Sequence, residues 1–568
     1  MLPSMLKILI GLAAVAAATP TAYNARPYSQ VAKRQASYGS SSSKLTVDLG
    51  YSVYEGFTNT SAGLDNYYGY AILDCRVDKR HSIRFASAPT GNLRFQAPIA
   101  PELNRSATIT ATQYGAICAQ SPSSGAAGFR PQSQVNASED CLFLGALGFV
   151  SSDEVFRKGA VNAGILDQHL ALQWVQQYIH LFNGDPAKVT ISGESAGAGS
   201  VMLQDMAYGG SLGTQLFQNS VVASPYLPMQ YGYKDWEPSQ AYYAFATAAG
   251  CAPTTAYGAN HTTPIFECLV SKDSATVINA SATVSQLVSY GTWAFLPVTD
   301  GVFIQDLPSR QLGRGQVNGL RILSGNNANE GVGFTPQTIK TEDDLVAYLR
   351  GLLPLFSDND IAKVLLYYPS TNASVSSSNP TFATTGDSGP TALNQSSVGT
   401  GQQQRADNIY AETTFVCPSY WLAEAYGSSK SGGEAWKYQF SIPPAYHGGD
   451  VSGYFNYPGQ TYDVDFTTAF QKIWGNFITS DNPSISNAIA NGITTSNVSI
   501  NSASDWPPYA IYSPYQLDLN TTCPGIVNGI CGGANATNTI RLANAYTWEG
   551  GRGMRCDFWK SVGEIVPE

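Results

Sequence analysis

The segment Gly193-Glu194-Ser195-Ala196-Gly197 sets a serine between small residues, a pattern suited to nucleophilic attack by a hydroxyl. Small neighbours permit a sharp strand-to-helix turn that lifts the serine oxygen clear of the backbone. The pattern is not specific by itself. With 54 glycines, the chain contains a second match at Gly209-Gly210-Ser211-Leu212-Gly213. The residues leading into each serine separate the two. Lys188-Val-Thr-Ile-Ser192 alternates polar and β-branched residues before Ser195, whereas Asp205-Met-Ala-Tyr208 before Ser211 has no strand character. Ser211 therefore reads as a loop serine.

A serine hydroxyl attacks poorly unless a positioned base takes its proton, and histidine suits that task near neutral pH. The chain has five histidines. His81 lies in a charged segment and His261 in an Asn-x-Thr sequon, while His169 and His180 belong to the helical segment before Ser195 and to its exit turn. His447 remains, in Pro443-Pro-Ala-Tyr-His447-Gly-Gly-Asp450, a turn-rich loop of the kind that displays reactive side chains. A carboxylate is then needed to orient the imidazole. In the chain order serine, acid, histidine it falls between Ser195 and His447. Glu330, at the end of Arg321-Ile-Leu-Ser-Gly-Asn-Asn-Ala-Asn-Glu330, is one candidate, and Asp300 in Pro297-Val-Thr-Asp300-Gly301 is its rival. The amide of Ala196 is the first donor that such a serine offers to a tetrahedral oxyanion.

These residues need a scaffold. Leu166, Leu170, Trp174 and Tyr178 recur every four residues and predict an amphipathic helix over Ala163–Tyr178, closed by the turn Phe182-Asn-Gly-Asp-Pro186. A short strand over Lys188–Ser192, Ser195 itself and a helix from Ala196 to Met206 follow. The Ser/Thr/Asn/Gly-rich stretch from Ser370 to Gln404 reads as a long surface loop, and no internal repeat is evident.

Asn162-Ala-Gly-Ile-Leu-Asp-Gln168, Phe182-Asn-Gly-Asp-Pro186 and Val189-Thr-Ile-Ser-Gly-Glu-Ser-Ala-Gly197 resemble the type-B carboxylesterase/lipase family, which includes fungal lipases and cholinesterases. So do Pro89-Thr-Gly-Asn-Leu-Arg-Phe95, Glu139-Asp-Cys-Leu142, Phe470-Gln-Lys-Ile-Trp-Gly-Asn-Phe477 and Arg555-Cys-Asp-Phe-Trp559. The resemblance covers nearly everything after Lys44. It implies an α/β-hydrolase fold, with a mostly parallel central sheet flanked by helices. It also implies hydrolysis of small-molecule carboxylic esters through an acyl-enzyme on Ser195, with His447 as base, Glu330 rather than Asp300 as acid, and no cofactor. Two disulfides are implied, Cys118–Cys141 and Cys251–Cys268, and Cys523–Cys531 is a candidate third.

Two departures from the family stand out. No Gly-Gly pair precedes Ser195, and Leu144 runs straight into Gly145-Ala-Leu-Gly-Phe149. In the family, several dozen residues there carry a His-Gly-Gly-Gly oxyanion loop and adjacent central strands, so this chain lacks that block. Conversely, Tyr70–Ser82 is inserted between Gly69 and Ile83, parts of one family strand, and brings Cys75 with it. The expectation is a chain that keeps its triad residues but fails as a catalyst. Between Cys118 and Cys141, where lipases of the family carry a mobile lid, Ala119–Asp140 offers little apolar surface besides Phe129 and Val135. Soluble esters rather than an oil surface are therefore the expected substrates. The alternative function is a non-catalytic binding or adhesion module on the same fold.

Composition sets the outer bounds. Of 568 residues, 43% are hydrophobic and only 13% charged, enough apolar surface for a large core. A net charge of -10, without a Lys/Arg stripe, excludes nucleic acid as a natural partner. Residues 1–18 have the charged, apolar and small-residue regions of a secretory signal, and their apolar run is too short to span a bilayer. Residues 19–44 read as a disordered leader with a candidate processing site after Arg34, leaving 45–568 as one α/β-hydrolase domain. Ten Asn-x-Ser/Thr sequons and nine cysteines fit an exported, disulfide-bonded chain, and no cysteine spacing suggests a metal site.

Overall fold

The computed structural model describes residues 45–59, 64–66, 83–111, 117–118, 137–140, 146–251, 264–369, 401–428, 432–455, 462–522, 524–527, 530–532 and 536–568. The signal and leader, the 70–82 insert with Cys75, most of the lid segment, Cys141 and Cys523 lie outside these residues, as do His81 and His261.

A small sheet comes first: β1 (Thr46–Asp48) pairs antiparallel with β2 (Val53–Glu55), which pairs parallel with β3 (Thr108–Thr110). It packs through Val47, Tyr51 and Tyr54 on Leu170, Trp174 and Tyr178 of α1 (Ala163–Tyr178). The four-residue stripe thus forms the predicted helix with the predicted bounds.

The main sheet has six strands: β4 (Thr190–Glu194), β5 (Asn219–Ala223), β6 (Arg321–Asn327), β7 (Glu434–Phe440), β8 (Tyr515–Leu519) and β9 (Arg541–Asn544). Their spatial order is β9-β8-β7-β6-β5-β4, parallel throughout except for β9 against β8. Successive residues face opposite sides. Val222, Ile322 and Ala435 enter a core with α2 (Ala196–Gly210) and α3 (Cys417–Gly427), while Val221, Leu323 and Trp436 enter a second core beneath α4 (Val464–Ser480). α4 meets that face with Phe466, Phe470, Ile473 and Phe477, the spacing of one helical stripe. Burial on both faces fits the apolar run Val221-Val222-Ala223 in β5, whereas β6 and β7 also bury Ser324, Asn326, Asn327, Lys437 and Gln439.

β4 differs from its neighbours. Among the described residues it is the last strand of the sheet, and it is only half-buried, whereas every residue of β5 is buried. Among the described residues β4 pairs on one side only.

Two boundaries differ from expectation. The strand begins at Thr190 rather than Lys188, because Asp185 accepts a hydrogen bond from the Ala187 amide (2.9 Å) and Pro186–Lys188 winds into a short 3-10 turn. The stretch from Ser370 to Gln404 is not all loop. A helix starts at Gly401, and Gln404 is already buried inside it. Among the described residues, no helix is long and apolar enough to cross a membrane.

Candidate active site

Ser195 occupies the turn between β4 and α2 at φ 56°, ψ −124°, a strained left-handed conformation. Its amide bonds to the Ala223 carbonyl of β5 (3.0 Å), and its carbonyl accepts from the amides of Gly199 (2.9 Å) and Tyr226 (3.1 Å). The turn is so tight that a Cβ on Gly193 would lie 2.2 Å from the Gly197 carbonyl carbon. A Cβ on Gly199 would lie 2.2 Å from the Tyr226 carbonyl oxygen. That crowding is the physical reason for small residues around the serine. α2 runs regularly to Met206, and Ala207, Tyr208 and Gly209 then leave helical geometry.

Glu330 and His447 reach Ser195 from the ends of β6 and β7. The two loops are stitched together by the Asn329 amide bonding to the Ala445 carbonyl (3.0 Å). Glu330 Oε2 lies 2.5 Å from His447 Nδ1, and His447 Nε2 lies 2.7 Å from Ser195 Oγ. Glu330 is fully buried and its other oxygen is occupied, accepting from the Ser224 hydroxyl (2.6 Å) and the Asn327 amide (2.5 Å). The carboxylate therefore cannot swing away from the imidazole without abandoning two donors.

His447 is itself almost enclosed, its ring between Phe334 (centroids 5.2 Å apart, edge-on) and Phe415 (4.2 Å). Burial pushes its pKa down, but the Glu330 carboxylate, with smaller help from Glu194 and Asp450, outweighs that and holds it above the ordinary value. Glu194 Oε1 lies 3.5 Å from His447 Nε2, and burial raises the Glu194 carboxyl above its usual range. Asp450 is buried beside the site, bonded to Asn327 Nδ2 and Tyr438 OH (both 3.2 Å), and burial pushes it up to about 7.

The rival residues are occupied elsewhere. Asp300 is buried and accepts from the amides of Val302 (2.8 Å), Phe303 (2.8 Å) and Ile304 (3.1 Å) and from Asn162 Nδ2 (2.8 Å), so it ties loops together. His169 bonds to Gln204 Oε1 (3.2 Å) and packs against Tyr208 and Phe303. Ser211 is exposed in the turn after α2, its hydroxyl donating to the Tyr208 carbonyl (2.8 Å). Ala196 lies at the start of α2 and is solvent-exposed.

Sequence reasoning assigned no role to Ser224, Glu194, Asp450, Phe334 or Phe415. Ser224 follows β5 as Ser195 follows β4 and shares a positive φ of 54°, a likeness of backbone that the sequence does not display. Cys251–Cys268 is bonded as expected, and Cys118 is disulfide-bonded. Cys417 and Cys556, left without partners by the sequence reading, are bonded to each other across 139 residues. Among the described residues, no cluster of His, Cys, Asp or Glu is placed to hold a metal.

Fold and site together define an α/β-hydrolase. Its architecture is similar to the crystal structure of Aspergillus niger EstA, with a TM-score of 0.68 at 22% identity over 92% of this chain and 99% of that one. The chain belongs to the carboxylesterase family, whose pattern matches residues 66–144 and 144–524, in two parts that meet at Leu144. It is similar to carboxylesterase patB of Aspergillus clavatus, at 29% identity over 60% of this chain and 55% of that protein. Lipase 2 of Geotrichum candidum is 34% identical over 40% of this chain and 41% of its own length. Acetylcholinesterase of Bungarus fasciatus is 25% identical over 83% of this chain and 85% of its own. The chain thus spans about half the length of the first two relatives.

Proposed function

We propose that this chain is a secreted serine hydrolase of small-molecule carboxylic esters. The observation that carries the reading is the continuous relay from Glu330 Oε2 through His447 to Ser195 Oγ, at 2.5 and 2.7 Å. In this reading Ser195 Oγ attacks the ester carbonyl carbon while His447 Nε2 takes the hydroxyl proton. Glu330 holds the imidazole tautomer and stabilises the imidazolium. The oxyanion accepts from the Ala196 amide. Collapse expels the alcohol, protonated by His447, and a water activated by the same imidazole then attacks the acyl-serine to release the carboxylic acid. A cavity of about 540 Å³, lined by Tyr226, Trp293, Phe295, Tyr410 and Thr414 but by no member of the relay, is the candidate receptacle for the acyl group. Its Tyr226 is hydrogen-bonded through its backbone to Ser195.

A second reading, a non-catalytic binding module, is favoured by two observations. The Ala196 amide has no glycine-rich partner loop upstream in the sequence, and among the described residues β4 ends the sheet. Losing one oxyanion donor costs about 10²- to 10³-fold in turnover. The decisive experiment compares this chain, on a short-chain p-nitrophenyl ester, with a version carrying a family-length block after Leu144. The expected outcome is a deficit of at least about 10²-fold in the chain as it stands and abolition of the restored activity by Ser195→Ala. Equal activity of the two versions contradicts the oxyanion argument, and restored activity that survives Ser195→Ala contradicts the triad.

A further inference from the structure

Between the helix Gly401–Ala411 and α3 lies a single π-helical turn, Glu412–Val416. Such a turn carries an extra residue and poorer hydrogen bonds, and it persists where something outside it holds it. Here both ends are gripped by neighbouring residues of α5 (Trp548–Ser561). At one end the buried Glu412 carboxylate takes a two-pronged ion pair from Arg555 (2.7 Å on each oxygen), with Arg552 Nε at 3.1 Å and Tyr368 OH at 2.6 Å. At the other end Cys417 is joined by its disulfide to Cys556, and both are buried.

The turn in its place holds the inner wall of the site. Phe415 lies against the His447 imidazole, Thr413 and Thr414 line the cavity, and the Thr414 carbonyl accepts from the Leu227 amide (2.8 Å). Leu227 follows Tyr226, whose amide bonds to the Ser195 carbonyl. One five-residue turn therefore touches both the base and the elbow that carries the nucleophile. Reverting the π turn to α geometry shifts its register by one residue, a rotation of about 100°, which takes Phe415 off the imidazole.

We infer that Arg555, Glu412 and the Cys417–Cys556 bond are positioning residues of the site: from the far helix they hold the π turn, and through Phe415 they keep His447 aligned on Ser195. The inference rests on His447 being the base. It assigns a role in the reaction to a buried ion pair and a disulfide that otherwise read as structural cross-links.

The test uses the full chain and two readouts that need no turnover. One is the rate at which a fluorescent fluorophosphonate labels Ser195, and the other is the low-field proton resonance of His447 Nδ1–H. Arg555→Lys keeps the charge but loses the fork, Glu412→Gln keeps the shape, and Cys417→Ser/Cys556→Ser removes the bond. Phe415→Leu removes only the ring contact and leaves the grip on the turn intact. Each is expected to slow labelling by about 10- to 100-fold and to broaden or shift the proton signal. Cys251→Ser/Cys268→Ser, which removes a disulfide in a separate core, is the control and should leave both readouts within about twofold of the parent. All rates are taken where circular dichroism shows every variant folded. The inference is overturned if Arg555→Lys and the Cys417/Cys556 variant match the parent, if the control loses as much as they do, or if Phe415→Leu is silent. Labelling of the parent that survives Ser195→Ala, or a low-field signal that survives Glu330→Gln, overturns the triad reading itself and this inference with it.

Discussion

His447 meets carboxylates from Glu330, Glu194 and Asp450, and they act on it unequally. Glu330 touches Nδ1, whereas Glu194 stands 3.5 Å from Nε2, on the side of the serine. Both raise the imidazole pKa, and Glu330 raises it more. A general base works only when neutral, so a raised pKa moves the acid limb of the rate profile to higher pH. Glu330→Gln is therefore expected to move that limb to lower pH and to cut the plateau by about 10⁴-fold, because the amide no longer holds the tautomer. Glu194→Gln should move the limb the same way by less and leave most of the plateau rate. pH profiles of Ser195 labelling check both, and equal shifts in the two variants would contradict this ordering. Ser195, His447 and Glu330 were legible in the sequence as candidates because the chemistry narrows the residue types, the histidines are few, and the family resemblance favours Glu330 over Asp300. Ser224 and Phe415 were not, since each acts on a triad member contributed by another part of the chain.

At the scale of elements, the turn around Ser195 depends on atoms that are not there. Gly199→Ala places a methyl 2.2 Å from the Tyr226 carbonyl oxygen, a backbone atom that cannot step aside. The expected cost is about 1–3 kcal/mol, as for other overpacked sites, together with slower labelling of Ser195. Urea unfolding measures the first, and a loss below about 0.5 kcal/mol, ordinary for a surface substitution, would show that the turn relaxes easily. The helix over 163–178 could be read from its period because one stripe meets one neighbour. The strand boundary at Thr190 was misplaced because a side-chain cap from Asp185 competes locally with strand pairing. The helix beginning at Gly401 was hidden for a different reason. Gln404, Arg405, Asp407 and Asn408 are polar yet buried, Arg405 and Asp407 with hydrogen-bonded side chains, so no hydrophobic period announces them.

Across the whole molecule, two disulfides invite direct comparison. Chain entropy gives about 3 kcal/mol for a loop of about 15 residues and about 4.7 kcal/mol for one of about 100. Cys251–Cys268 spans 17 residues and Cys417–Cys556 spans 139. Removing the second pair should cost more in denaturant unfolding than removing the first, and the reverse order would contradict the entropic account. The buried acids set the pH response. Burial pushes Asp205 up to about 8, Asp450 and Asp518 to about 7, and Asp407 to about 6. Each binds a proton in the folded state at pH values where the unfolded chain, titrating near about 4, has lost it. Folding therefore weakens as pH rises from about 4 through 8, and the raised pKa of His447 acts in the same direction. The melting temperature should be higher at pH 5 than at pH 8, and the opposite order would show that these groups are ionised in the native state. The hold of α5 on the π turn also carries a consequence for biosynthesis. A ribosome adding roughly 5–20 residues per second takes roughly 7–28 s to pass from Cys417 to Cys556. During that interval Ser195, Glu330 and, once emerged, His447 belong to a nascent polypeptide whose π turn lacks the hold of α5. On the inference above, a polypeptide broken off before Arg555 would carry Ser195, Glu330 and His447 but lack the hold of α5 on the π turn, and so label more slowly than the full chain.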